Sequence, residues 1–342
     1  MMTMKKERVL FIDIARATAI FTVVAGHTVD SDTVYKTIIY SFHMPLFFLL
    51  SGFTGIIRDR YDLTTWTAFF QKKVRTLLFP YLLWACIYSS FSFKHLLLIL
   101  WGTRETLIDA GSLTSLWFLP VLFVASVLTE CTNAAARKWN ARFIPIMAAV
   151  LFMGSGLFIP HAAQHGYPWG ADIALTAAGF MLIGQLLGQL YSMSVFHKAH
   201  SHILCCCVTL VGMLAVFLIL KPEGYVLMAN AVYGNRILFL LTSLMGSLFI
   251  LSSSRLLEFA ASHLKAMIYL GQNTLGIFIL HKPVVEMIRS LVTRLGYEYN
   301  NLLCVALIPV ATLCVVIPVV YVIKKYVPFM FGDWKSERSE KG

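Results

Sequence analysis

Apolar residues run along this chain in blocks of about twenty, the length an α-helix needs to cross the hydrocarbon core of a bilayer, and polar residues gather between the blocks. Ten blocks can be drawn, near residues 9–29, 36–57, 73–93, 115–132, 142–160, 171–192, 202–220, 236–254, 266–288 and 301–323. The pattern predicts an all-α, polytopic membrane helix bundle of about ten transmembrane helices. It forms one domain over residues 1–342, with short tails at 1–8 and 325–342. The connections are short, and no repeat or low-complexity tract marks a second unit.

Composition supports a lipid setting. Hydrophobic residues make up 58% of the chain and charged residues 13%, with mean hydropathy +0.74, against about 25% charged in ordinary soluble domains. The lipid bilayer is therefore the expected main partner. A net charge of +11 raises the question of nucleic acid, but the placement of the cations answers it. Of the 28 Lys and Arg residues, nineteen fall in the two tails and the even-numbered connections and seven in the odd-numbered ones, while Arg16 and Lys282 lie inside blocks. By the positive-inside rule both termini are expected in the cytoplasm, and no nucleic-acid partner is implied. A missed helix would have inverted every later connection, so this asymmetry also supports the number of blocks. Lys5-Lys6-Glu7-Arg8 with the first block is expected to be a span and not a secretory signal, because Asp13 and Arg16 interrupt the apolar run and no small-x-small cleavage site follows. The seven cysteines, an odd number lying mostly inside blocks, behave as small apolar residues.

Polar residues inside lipid-facing blocks are the informative ones, since a charge at a helix centre costs roughly 2.5–3.5 kcal/mol on insertion scales. The first block contains Asp13, Arg16 and His27. At about 100° per residue, the step from Arg16 to His27 closes to within about 20° of whole turns and rises about 16 Å, so both share one face. Asp13, one turn before Arg16, is placed to pair with it. The second block adds His43 just before Pro45, in its outer half, which brings His27 and His43 to similar depth. Histidine is the usual general base near neutral pH; the plain alternative is that each histidine only hydrogen-bonds a neighbouring helix.

Lys72, Lys73 and Arg75 open the third block. They read either as topology signals that snorkel to the interface or as a grip on phosphate groups. Softer signals are Ser115-Leu-Trp117-Phe-Leu-Pro120, Asp172, and Gly271-Gln-Asn273-Thr with His281. His281 either lines the same cavity as His27 or is interfacial beside Lys282 and Pro283. His197, His200 and His202 lack a nearby cysteine or carboxylate, and no metal site is expected. Gly-rich phosphate loops, GxSxG elbows and HExxH patterns do not occur.

Three motifs in order carry a resemblance. They are Arg16, ten intervening residues and His27; Phe42-His-Met-Pro-Leu-Phe-Phe-Leu-Leu-Ser-Gly-Phe53; and Leu270-Gly-Gln-Asn-Thr-Leu-Gly-Ile-Phe-Ile-Leu-His281. With them the chain resembles the acyltransferase-3 family of integral membrane acyltransferases, more narrowly its fucose 4-O-acetylase-like branch. The family's RxxR-type signature at the third block is met only by Arg75. The resemblance implies an O-acetyltransferase. It would move an acetyl (acyl) group from cytoplasmic acetyl-CoA, the acyl donor and co-substrate, to a sugar hydroxyl of a cell-envelope glycan or its lipid-linked precursor. The expected setting is a bacterial inner (cytoplasmic) membrane, crossed many times. In that reading His27 and His43 are catalytic and Arg16, Lys72, Lys73 and Arg75 hold acyl-CoA. Asp13, Trp117, Asn273 and His281 support the site. Transfer is either direct or through an acylated histidine. The same buried charges also fit a transporter or exporter of a small polar or acylated molecule, although no second copy of the Asp-x-x-Arg pattern or the His-Met-Pro run is present.

Overall fold

The computed structural model of the protein describes residues 9–29, 33–59, 65–111, 113–162, 164–191, 198–220, 226–260, 264–298 and 302–334. The expected tail at 1–8, the last residues 335–342, and His197 lie outside the described residues. Fourteen α-helices follow one another among those described. They are α1 (Leu10–Gly26), α2 (Val34–Asp59), α3 (Trp66–Lys73), α4 (Phe79–Tyr88), α5 (Leu96–Trp101), α6 (Arg104–Asp109) and α7 (Phe118–Lys138). Then come α8 (Ile144–Phe158), α9 (Ala171–Leu190), α10 (Ala199–Ala215), α11 (Arg236–Ala260), α12 (Lys265–Gln272), α13 (Thr274–Arg294) and α14 (Leu302–Tyr326).

Every apolar block of the sequence falls on helix. Among the described residues, six helices are long and apolar enough to cross a membrane: those at Val34–Gly55, Phe118–Lys138, Pro168–Leu190, Ala199–Ile219, Arg236–Phe259 and Cys304–Tyr326. The other blocks are shorter or interrupted. The third is divided by a π-helical turn at Val74–Leu78 ahead of Pro80, because proline removes the N–H that would continue regular α-helical bonding. The ninth breaks at Asn273 between α12 and α13, where the Asn273 side chain donates to the Tyr269 carbonyl at 2.7 Å. One connection is more than a link. Residues 96–109 fold into α5 and α6, and Ile99, Leu107 and Ala110 are buried in the main core.

The centre of the bundle is α2. Its apolar window is 72% buried, against 17% for α10, which therefore presents most of its surface to the surroundings. Two backbone crossings fix the arrangement. A Cβ on Gly52 would lie 1.9 Å from the Met181 carbonyl oxygen, and one on Gly184 would lie 2.0 Å from that of Leu49. The α2 and α9 backbones thus touch, as small residues permit in membrane bundles. Likewise a Cβ on Gly271 would lie 1.9 Å from the Asp13 carbonyl oxygen, which seats α12 directly on the start of α1.

Two helices carry a proline two residues after a histidine: His43 and Pro45 in α2, His281 and Pro283 in α13. Each proline lacks an N–H, so the carbonyl four residues before it loses its helical donor. A neighbouring helix supplies the missing donor in both cases. Ser243 of α11 donates to the Ser41 carbonyl at 2.6 Å, and Tyr88 of α4 donates to the Ile279 carbonyl at 3.0 Å. A net hydrogen bond is worth about 1 kcal/mol, but leaving a buried acceptor unsatisfied costs about 1–3 kcal/mol. Ser243→Ala and Tyr88→Phe should each lower unfolding stability in detergent by about 1–3 kcal/mol. Ser253→Ala, which removes only a bond within α11, should stay within about 0.5 kcal/mol of wild type. Thermal denaturation followed by circular dichroism checks this; equal effects at all three positions would contradict the role of the prolines.

Candidate functional site

His27 caps the C-terminus of α1, its backbone N–H bonded to Val24 and Val23 carbonyls at 3.1 and 3.3 Å. It is partly exposed, while the residues just before it are buried. Because α12 is seated on α1 at Gly271 and α13 continues in the same direction, His281 arrives beside it, with the two rings 5.1 Å apart. His281 is fully buried. Its Nδ1 donates to the Phe278 carbonyl at 2.7 Å, with Ile277 also near at 3.2 Å. A carbonyl can only accept, so in the neutral ring Nε2 keeps its lone pair. That Nε2 atom is buried and has no hydrogen-bond partner.

His43 is held in the same way, with Nδ1 donating to the Ile39 carbonyl at 2.8 Å. It does not meet His27 directly in a ring contact. Tyr40 stands between, its ring 4.7 Å from that of His43 and 6.4 Å from that of His27. The three histidines therefore gather at one end of the bundle, as the sequence led us to expect of His27 and His43. His281 is the nearer ring to His27. Trp117 reaches the same region through a run of rings: it packs on Phe118 at 6.2 Å, Phe118 on Phe278 at 5.2 Å, and Phe278 on His281 at 5.9 Å.

A cavity of about 150 Å³ opens against His27. Lys36 of α2 and Lys282, Val285, Glu286 and Arg289 of α13 complete its wall with Val29. The α13 residues recur at helical spacing and form one face of that helix. Lys36 donates to the Val29 carbonyl at 3.2 Å and lies 5.1 Å from the Tyr40 ring centre. Lys282 donates to Thr114 and lies 3.7 Å from Glu286. Tyr40, Lys36 and Arg289 carried no weight in the sequence, since a single tyrosine or a cation beside a helix end signals nothing until its neighbours are known.

Arg16 lies toward the other end of α1 and donates to Thr54 of α2 at 3.2 Å. Asp13 is buried one turn earlier, at the α12 crossing, and Asn273 marks the break just beyond that crossing. Arg255 joins this end: it lies within α11, 5.5 Å from the Phe11 ring centre. Its position in the sequence suggested only a connecting segment. The basic residues of the third block take other neighbours. Lys73 donates to Ser126 of α7 at 3.1 Å, Arg75 lies 5.9 Å from the Trp334 ring centre, and Lys72 is exposed.

A second polar group ties α6 to the first turn of α9 through His161 of the connection between α8 and α9. His161 Nδ1 is 2.6 Å from Asp172 and its Nε2 is 3.3 Å from Glu105, which also accepts from Asn230. Arg104 donates to Asn230 at 3.0 Å. Partial burial pulls the His161 pKa down, but hydrogen bonding and attraction from Asp172, then from Glu105, outweigh it and raise the value above 6.5. A raised folded-state pKa gives stability that is complete below the unfolded value and is lost as pH climbs through the folded one. Melting temperature should thus hold steady below pH 6.5 and fall above it, and His161→Gln should remove that step. A pH profile of thermal unfolding with wild type and variant side by side checks the sign; rising stability above pH 6.5 would contradict it.

Comparison with known proteins adds the family. No curated protein and no solved structure matches the chain. A family model described as an acyltransferase domain matches residues 9–322, which takes in α1 through most of α14 and every motif noted above. The chain, an all-helical protein with several helices long enough to span a membrane, belongs to the acyltransferase-3 family of acyl-transferring membrane enzymes.

Proposed function

We propose that the protein is a membrane O-acetyltransferase. It moves an acetyl (acyl) group from cytoplasmic acetyl-CoA to a sugar hydroxyl of a cell-envelope glycan or its lipid-linked precursor, as in the fucose 4-O-acetylase-like branch. In this reading ten passes cross a bacterial cytoplasmic membrane with both termini in the cytoplasm. The Arg16 end of α1 then faces the cytoplasm, and the histidines lie in the outer half. The observation that carries the proposal is the cavity beside His27, with a second histidine ring 5.1 Å away.

The donor approaches from the Arg16 end. Arg16 is suited to the passage of its charged portion, and Lys72, Lys73 and Arg75 to the phosphates at the rim. The step of about 16 Å from Arg16 to His27 is one that the extended arm of the thioester follows along α1. His27 removes the proton of the acceptor hydroxyl as its oxygen bonds to the thioester carbonyl carbon. The carbon–sulfur bond then breaks, and the thiolate of coenzyme A leaves with the proton from His27. His281 offers its Nε2 lone pair to accept a hydrogen bond from the His27 ring, which orients it and stabilises the imidazolium as it forms. His43 acts one layer further back, behind Tyr40.

Transfer of label from radiolabelled acetyl-CoA to a panel of envelope glycans by detergent-purified protein tests the proposal. His27→Ala should lower kcat/KM by about 10²–10⁴-fold, and His281→Ala should lower it less. Arg16→Ala should act mainly through the KM for acetyl-CoA. Undiminished turnover in a well-folded His27→Ala variant would overturn the mechanism. Flux of a solute through vesicles holding the protein, without acyl-CoA, would favour a transporter.

A further inference from the structure

His161 stands between two carboxylates that differ in how much they depend on it. Asp172 of α9 is almost fully buried; its Oδ2 meets His161 Nδ1 at 2.6 Å, and its Oδ1 is buried without a partner. Among the described residues the His161 ring is thus the one hydrogen-bond donor to this carboxylate. Glu105 of α6 faces the opposite nitrogen, Nε2, at 3.3 Å, and its Oε1 has a second donor in Asn230. Arg104 joins the group through Asn230, to which it donates at 3.0 Å. Asp172 from α9 and Glu105 from α6 are the ionisable groups that act on the ring.

An imidazolium donates from both nitrogens, whereas a neutral imidazole donates from one only. The burial of Asp172 decides which one: the remaining proton stays on Nδ1, because its loss there would leave a buried carboxylate with no donor. The lone pair of Nε2 then points at Glu105 Oε1, and two acceptors face each other across 3.3 Å. One deprotonation therefore turns the Glu105 contact from attraction to repulsion and leaves the Asp172 contact in place. Partial burial pulls the ionisation of His161 down, but the two carboxylates outweigh it and place it above 6.5. The bridge is accordingly complete at mildly acid pH and opens as pH climbs through that raised value.

The α6 segment connects this bridge to the histidine cavity. Leu107 of α6 is fully buried, and its carbonyl accepts from the Leu113 N–H at 3.0 Å, which folds the chain after α6 back onto the helix. Thr114 follows, and its hydroxyl accepts from Lys282, the neighbour of His281 and part of the cavity wall beside His27. Arg104, next to Glu105, acts electrostatically on the same lysine. The start of the segment is held by bonds that do not titrate: Thr103 donates to the His165 carbonyl at 2.7 Å, and Trp101 to the same carbonyl at 3.1 Å. Loss of the Glu105 contact thus leaves the segment attached and changes only the hold on its far part.

From this arrangement we infer that His161 is a positioning residue: bridged between Asp172 and Glu105, it holds α6, Thr114 and Lys282 in place beside His27, and its deprotonation loosens them. His161 does not line the cavity and acts only through α6. The functional consequence rests on the acyltransferase reading of the His27 site; the structural part stands apart from it.

Deuterium exchange of the detergent-purified full chain, read by mass spectrometry and corrected for the chemical exchange rate, tests the structural part from about pH 5.5 to about pH 9. Protection of the amides in residues 104–111 should fall about ten-fold or more across that range. In Glu105→Gln the side-chain amide offers both an acceptor and a donor, so it meets His161 in either state and protection should stay level. It should also stay level in His161→Gln, which does not titrate. Acetyl transfer from radiolabelled acetyl-CoA to the envelope glycan panel is followed in parallel; wild type should lose turnover about ten-fold in the alkaline part of the range, and Glu105→Gln should keep it. Level protection in wild type, or the same fall in His161→Gln, would overturn the inference. So would an equal alkaline loss of transfer in wild type and Glu105→Gln, because the bridge would then not reach the site. A wild type whose protection responds as expected, yet transfers no acetyl group at any pH, would leave the bridge standing and defeat the acyltransferase reading instead.

Discussion

A hydrogen-bonding group buried in hydrocarbon must find its partner inside the protein, and much of this fold around the histidines follows from that demand. Pro45 and Pro283 each open a helix by withdrawing a donor, and the bundle answers with Ser243 from one side and Tyr88 from another. The same two openings lie beside His43 and His281, whose Nδ1 atoms are committed to carbonyls of their own helices. Each ring is thereby fixed in orientation with its other nitrogen turned to different use. At His281 that nitrogen is buried without a partner, a costly feature in a purely structural helix and a useful one next to a reacting group. Packing achieves the rest. Gly271 lets α12 rest on α1, and the parallel run that follows delivers His281 to His27.

Much of this was readable from the chain, and the reason is periodicity. Blocks of apolar residues have to be helices in lipid, and all of them are helical in the structure. Arg16 lies within α1 and His27 directly after its last residue, so the rise between them is set by the helix itself. What the chain concealed depends on neighbours distant in sequence. Nothing local announces that residues 96–109 fold into two helices under the core, or that Tyr40 stands between two histidines. His281 could be read as interfacial or as lining the cavity, and only the approach of α13 to α1 puts its ring against His27. The expected grouping of basic residues is also refined: Arg16 is held by α2, whereas Lys73 is held by α7 and Arg75 stands beside Trp334.

The two ends of α1 consequently have different chemistry. One end has a buried acid, an arginine bonded to a threonine, and a second arginine against an aromatic ring. The other has imidazoles and a cavity lined by Lys36, Lys282, Glu286 and Arg289. A single helix joins them, and it is buried along most of its length between α2, α11, α12, α13 and α14. Such a polarity suits an enzyme whose two substrates arrive from opposite sides and whose chemistry takes place where they meet. In the proposed reading, acyl transfer takes its direction along that one helix.

Sidedness is thus the central claim, and one measurement addresses it most directly. The protein is reconstituted in sealed vesicles of known orientation, with labelled acetyl-CoA confined to the side of the Arg16 end and glycan acceptor to the side of the His27 end. The account predicts label in the acceptor across the sealed membrane, and none when the two substrates exchange sides. Transfer only when donor and acceptor share one compartment would contradict it.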